Sequence, residues 1–152
     1  MISIAYDDPE KPDVTALVHR HLTFSNENSP EGSCYAFDVS ALKGPGVTFW
    51  TAREDGVAIG MIAVKEIEPG HGEIKSVHTV SEARGKGVGR QLVETVIDMA
   101  RARGWHRLSL ESGTNEAFKP SRLLYEATGF KKCPAFGDYV DGSFSYCMTR
   151  TL

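Results

Sequence analysis

The chain has 152 residues, 41% of them hydrophobic and 24% charged, with a net charge of −3. That length suits one domain with its own hydrophobic core, and the slightly acidic balance gives no electrostatic reason to bind a nucleic-acid backbone. No apolar run approaches the ~20 residues of a bilayer span, and Met1-Ile2-Ser3-Ile4-Ala5-Tyr6-Asp7-Asp8 lacks the basic start and apolar stretch of a secretory signal. The three cysteines, Cys34, Cys133 and Cys147, are odd in number and widely spaced. They read as reduced, mostly buried thiols of a cytoplasmic protein.

Ile2 to Tyr6 alternates and predicts a short first strand. After Asp8-Pro9, Val14, Leu17, Val18, His21 and Leu22 recur at helical spacing and form one apolar stripe. From Ser25 to Gly46 the pattern breaks up, with one helical turn expected around Ala36 to Leu42, and such segments often carry function. Val47 to Arg53 and Val57 to Lys65 are β-branched and aromatic runs joined through Asp55-Gly56, a hairpin signal. After the turn Pro69-Gly70-His71-Gly72, Glu73 to Val80 is the next strand. The period then changes from two to 3.6: Val88, Leu92, Val96 and Ala100 line a helix that Gly104 should end. His106 to Glu111 reads as a strand, and a helix starts near Pro120 and stops at Gly129. Phe130 to Cys133 and Phe144 to Thr149 are the last strands. With no repeat, linker or low-complexity tract, residues 1–152 read as one α+β domain.

The most informative stretch is Val80-Ser81-Glu82-Ala83-Arg84-Gly85-Lys86-Gly87-Val88-Gly89-Arg90. A strand ends, a glycine-rich turn follows, and an amphipathic helix begins inside the turn. Glycine lets backbone approach a ligand closely, and the free N–H groups and dipole of the first helical turn favour an anion. Arg84, Lys86 and Arg90 add positive charge around the same spot. This is a diphosphate cradle, but of neither common nucleotide type. Lys86 is followed by Gly87 where a Walker loop needs Ser or Thr, and glycines at 85, 87 and 89 miss the G-x-G-x-x-G spacing.

Arg84-x-x-Gly87-x-Gly89 resembles the coenzyme A signature of the GNAT N-acetyltransferase superfamily. Leu124-Tyr125-Glu126-Ala127-Thr128-Gly129-Phe130 is similar to that family's closing Leu-Tyr-x-x-x-Gly-Phe, and the element order agrees over nearly the whole chain. Leu108 to Gly113 and Phe136-Gly137-Asp138-Tyr139 resemble a bacterial subgroup of these acetyltransferases. One position departs from the pattern. Seven residues before Tyr125, where the family commonly has Asn, stands Phe118, and the nearby Asn115 is ten residues away.

The resemblance implies a single-domain GNAT-like α+β fold: a mixed, mostly antiparallel sheet flanked by helices, with a splay between the fourth and fifth strands. It implies acetyl-CoA as cosubstrate and no metal, with the pantetheine arm in the splay. His78, Thr79 and Val80 would offer backbone groups to the pantetheine and thioester, and Arg84, Gly85, Lys86, Gly87, Val88, Gly89 and Arg90 would hold the pyrophosphate. Tyr125 would give a proton to the leaving thiolate, since a phenol of pKa ~10 stays protonated at neutral pH.

Direct attack by an amine also needs an oxyanion donor and a base. A backbone N–H among residues 78 to 80 can serve the oxyanion. Glu111, at the end of its strand beside the implied splay, is the first candidate base, with Glu73 second and His78 third. The acceptor is a small-molecule or peptide amine, with Ser29-Pro30-Glu31 and Asp138-Tyr139 on its side of the cleft. No nucleic acid or membrane is expected as a partner, and a homodimer is left open. The rival reading keeps the cradle without catalysis, as an acetyl-CoA-binding sensor or interaction module. Another acyl chain than acetyl also stays open, because the cradle reads the pyrophosphate.

Overall fold

The computed structural model describes residues 1–32 and 35–152; Cys34 lies outside the described residues. Seven strands form one sheet in the order β1-β2-β3-β4-β5-β7-β6. Strands β1 (Ile2–Tyr6), β2 (Val47–Glu54), β3 (Val57–Glu68) and β4 (His71–Thr79) run as an antiparallel meander. Its β2–β3 turn is Asp55-Gly56, where both residues take positive φ, the twist a two-residue hairpin requires. β5 (Arg107–Gly113) lies parallel to β4, and its other edge carries β7 (Ser145–Thr151), then β6 (Lys131–Lys132), both antiparallel. This is the mixed, mostly antiparallel sheet that the family resemblance implied.

Parallel neighbours need a crossover, and α3 (Val88–Ala102) supplies it between β4 and β5. Its predicted face, Val88, Leu92, Val96 and Ala100, is buried together with Val93 and Ile97. Gly60 on β3 lets this helix close onto the sheet, since a Cβ there would stand 2.9 Å from Val88 Cγ1 and 3.2 Å from Leu92 Cδ1. Met61, Ile62 and Val64 of β3, Leu108 and Leu110 of β5, and Val14 and Val18 of α1 (Pro12–Glu27) complete the centre of the core. A fully buried Leu such as Leu92 is worth about 1.5–3 kcal/mol over an exposed one. Gly104, at φ 77, ends the helix while the Trp105 N–H reaches back to the Ala100 carbonyl at 2.9 Å.

Several boundaries differ from expectation: β3 runs on to Glu68, and β4 begins at His71, inside the turn expected at Pro69 to Gly72. α1 runs on to Glu27, past the start expected for the irregular segment, because Phe24 and Ser25 also face neighbouring structure. α2 (Val39–Leu42) is a single turn, capped by the Asp38 carboxylate accepting from the Ala41 N–H at 2.8 Å. β6 shrinks to two residues, although the Cys133 N–H still bonds the Cys147 carbonyl. α4 (Lys119–Ala127) starts with Pro120 in its first turn and gives way at Gly129, φ 93, as predicted. Of the two cysteines described, Cys147 is buried and Cys133 half-buried, and both are free thiols. No described helix is long and apolar enough to cross a membrane.

Candidate active site

The β4–β5 ladder holds only from His71↔Arg107 to Ile74↔Leu110. Beyond that level β4 stays with β3 and β5 stays with β7, so the two strands part. A bulge on β4 accompanies the parting: Ser76 and Val77 together oppose Ile62, and Ser76 takes φ 58. A left-handed serine is strained backbone, and its buried hydroxyl has no hydrogen-bond partner among the described residues. Into the opening runs a cleft of about 460 Å³, walled by residues 74–79 of β4, 111–113 of β5, the N-terminus of α3, α4, and parts of α1 and the following loop.

At one end of the cleft stands the glycine turn. Gly85 and Gly87 take φ 83 and 76, and Gly87 is the left-handed N-cap of α3. No side chain caps this helix, so the N–H groups of its first turn face the cleft, where Gly87, Val88, Gly89 and Arg90 form the lining. A Cβ added at Gly85 or Gly87 would meet nothing within 4 Å, which leaves the backbone bare toward open space. That geometry fits a pyrophosphate. Gly89 serves helix packing as well, since a Cβ there would press to 2.9 Å on Leu124 Cδ2, and its absence lets α4 seat against α3.

The charged residues of the turn divide. Arg84 lines the cleft and has no ion-pair partner among the described residues, and Arg90 lines it while bonded to Glu94 at 2.9 Å. Lys86 turns away to Glu54 at 2.8 Å and does not line the cleft. Of the β4 residues, His78 and Thr79 line it. Val80 does not, and its N–H is bonded to the Ile59 carbonyl at 2.9 Å, so it has no free donor for a ligand.

The strand parting brings Glu111 and Tyr125 into one cleft. Burial pushes the Glu111 carboxyl up to about 7, restrained by a Ser145 hydrogen bond and by Lys75. Tyr125 is 6% exposed, sits edge-on to Phe130, and its hydroxyl has no hydrogen-bond partner among the described residues. Burial and the nearby Glu111 raise the phenol above its ordinary value, so it stays protonated. Glu73 is elsewhere: its carboxylate accepts a 2.6 Å hydrogen bond from Tyr139 and does not line the cleft. His78 Nδ1 lies 3.2 Å from His21 Nδ1, one ring donating to the other. Burial lowers both, His21 to about 3 and His78 to about 4, so both are neutral at pH 7. Among the described residues no three His, Cys, Asp or Glu side chains gather as a metal site.

A model of the acetyltransferase (GNAT) family matches residues 14–130. The chain belongs to the GNAT acetyltransferase family. It is 41% identical over 98% of its length to the uncharacterized N-acetyltransferase YsnE of Bacillus subtilis, covering 99% of that protein. It is 38% identical over its whole length to the uncharacterized N-acetyltransferase YedL of Escherichia coli, covering 96% of it. Among solved structures, one from Klebsiella pneumoniae named as an acyl-CoA N-acyltransferase superposes over all of this chain and 98% of its own, with TM-score 0.85 and 27% identity.

As a GNAT acetyltransferase the chain takes acetyl-CoA as acyl donor. Several lining residues carried no sequence signal. Ser76 is left-handed through the bulge, which no composition announces. His21 sat in the apolar stripe of α1 and reads as core until β4 brings His78 against it. Phe118, at the family's Asn position, stacks edge-on between Phe24 (5.5 Å) and Phe144 (6.0 Å). Asn115 instead donates to the Asn28 carbonyl at 2.5 Å. Of the loop residues expected on the acceptor side, Ser29 lines the cleft, whereas Pro30, Glu31, Asp138 and Tyr139 do not. Lys75, sharing a strand face with Glu73 two residues away, was legible in principle and lines the cleft.

Proposed function

We propose that this chain acetylates an amine by direct attack in a ternary complex with acetyl-CoA, with Glu111 as base and Tyr125 as acid. The 3′-phospho-ADP end rests at Arg84, Gly85, Gly87, Val88, Gly89 and Arg90, and the pantetheine runs along His78 and Thr79 toward the parted strands. The amine nitrogen attacks the thioester carbon, and the C–N bond forms. Glu111 takes the amine proton directly or through water, the C–S bond breaks, and Tyr125 protonates the thiolate. The acceptor is a small-molecule or peptide amine, and the reaction takes place in the cytoplasm.

One observation carries the reading. A single cleft joins the uncapped N-terminus of α3 to a carboxyl poised near neutrality and a protonated phenol with no partner among the described residues. A carboxyl near 7 is what a base working at neutral pH needs, and a sensor has no use for it. Two measurements test this. Thiol release from acetyl-CoA over a panel of amines, amino acids and peptides should find a substrate. In calorimetry, Gly87→Glu, which sets a carboxylate in the cradle and a Cβ on left-handed backbone, should abolish measurable acetyl-CoA binding. Unchanged binding by that variant would displace the cradle. A wild-type protein that binds acetyl-CoA and acetylates nothing would favour the sensor.

A further inference from the structure

The cleft holds a lysine for which acetyl transfer as such has no use. Lys75 and Glu111 are the first residues past the last parallel pair, Ile74 and Leu110, and both line the cleft. The alternation that sets Glu73 level with Ser109 places Lys75 and Glu111 on that same sheet face. The Lys75 side chain is only 9% exposed. An ammonium has three N–H donors, and a buried one needs partners for them.

Among the described residues Lys75 Nζ makes one hydrogen bond, to the phenol oxygen of Tyr139 at 3.2 Å. Glu73, at 3.5 Å, balances its charge, and the Phe37 ring lies 4.4 Å from it. Its charge is therefore matched while its donors are not filled. The half-buried rings of Phe24, Phe118 and Phe144 line the same cleft as one edge-to-face cluster. An amine-only acceptor would leave the Lys75 donors unmet, and a polyamine would bring a second ammonium against Lys75.

We propose that the acceptor is a free α-amino acid with an apolar side chain. Its carboxylate binds Lys75, its amine sits beside Glu111, and its side chain lies on Phe24, Phe118 and Phe144. Amine and carboxylate hang from one carbon, and neighbouring strands start roughly 4.8 Å apart before they widen, so one small ligand reaches both residues. This rests on the transferase reading, since it names the acceptor of that reaction. The products are an N-acetylamino acid and the coenzyme A thiol.

The test compares matched acceptors in thiol release: phenylalanine, phenylalanine amide and phenethylamine, then leucine and methionine. Phenylalanine should exceed the other two of its trio in kcat/KM by about 10–100-fold, the worth of a hydrogen bond to a charged group. In Lys75→Met that ratio should collapse toward one through a raised KM for phenylalanine, and Lys75→Arg should restore part of it. Since Lys75→Met leaves Glu73 without its cation and can unfold, wild-type protein with coenzyme A is also titrated by calorimetry. N-acetylphenylalanine should bind about 10-fold or more tightly than N-acetylphenethylamine. Equal turnover of the trio, or acetylation of plain amines or peptides without amino acids, overturns the proposal and leaves the transferase intact. Failure to acetylate anything overturns both.

Discussion

Tyr139 donates a 2.6 Å hydrogen bond to Glu73, and through it one phenol from the loop between β6 and β7 is fastened to β4 across the sheet. Lys75 donates to the same phenol oxygen at 3.2 Å, and the ring meets Tyr35 and Phe136 edge-on at 5.1 and 5.2 Å. Glu73 is 9% exposed, so its partners decide whether it can remain there. Glu73 is thereby tied to Tyr139 and Lys75 and is not offered to a ligand.

Tyr139→Phe should therefore destabilise the fold by about 1.5–3 kcal/mol, the range for a hydrogen bond to a charged group. The ring and its packing remain, so the loss belongs to the hydroxyl. Urea unfolding checks it, and a change under about 0.5 kcal/mol, ordinary for a surface substitution, would mean that water replaces the phenol.

The fold was legible because its signals are local and agree with one another: period two through Lys65, period 3.6 from Val88, and glycines at 85, 87, 104 and 129 where left-handed backbone is needed. The glycine turn and Tyr125, which line one cleft, were legible through a motif. What was not legible depends on pairing between distant segments. Glu111 ranked above Glu73 only through the implied splay; that Glu111 lines the cleft and Glu73 does not follows from where the ladder ends, after Ile74 and Leu110. Lys86 has the charge for the cradle, but Glu54, 32 residues earlier, takes it. The Val80 N–H, expected to face the ligand, is bonded to the Ile59 carbonyl for the same reason.

Glu111 should govern the pH dependence. As a base it works ionised, so kcat/KM should rise with pH up to about 7 and then level. Glu111→Gln should lower the rate by ~10² or more and remove that limb, while Glu73→Gln should keep it. The same group affects stability in the opposite sense. Burial raises it from 4.5 to about 7, so the folded state holds more protons in that interval, and its contribution falls as pH rises through it. Glu111→Gln should thus melt higher than wild type at pH 8 and gain little at pH 4.

The His21–His78 pair makes the reverse prediction. Folding keeps both rings neutral, His21 down to about 3 and His78 to about 4 from an ordinary 6.5, so below 6.5 the unfolded chain binds more protons. Stability should be lost as pH falls, by about 1–2 kcal/mol for each histidine between pH 7 and pH 5. Urea midpoints at the two pH values, compared in wild type and His21→Leu, measure it. Since Glu111 masks the loss, the comparison is sharper in the Glu111→Gln background. An equal pH dependence with and without His21 would show that the ring takes up its proton in the folded state.

Tyr125→Phe separates chemistry from packing at the one residue where both readings fit. The ring is buried against Phe130 and keeps nearly all its buried area without the oxygen. The hydroxyl bonds no described residue, so its removal leaves no protein group unpaired, and the variant should melt within a few degrees of wild type. Its affinity for acetyl-CoA should hold, because the glycine turn lies on other elements. Turnover should nevertheless fall by roughly 10²-fold, within the range for a lost general acid. The deficit should shrink with an acyl donor whose thiol is more acidic, since a better leaving group needs the proton less. That second readout distinguishes the acid from a residue that only shapes the cleft, whose loss would slow every donor alike. A folded Tyr125→Phe protein with wild-type turnover would return Tyr125 to the core and leave the thiolate to be protonated by water.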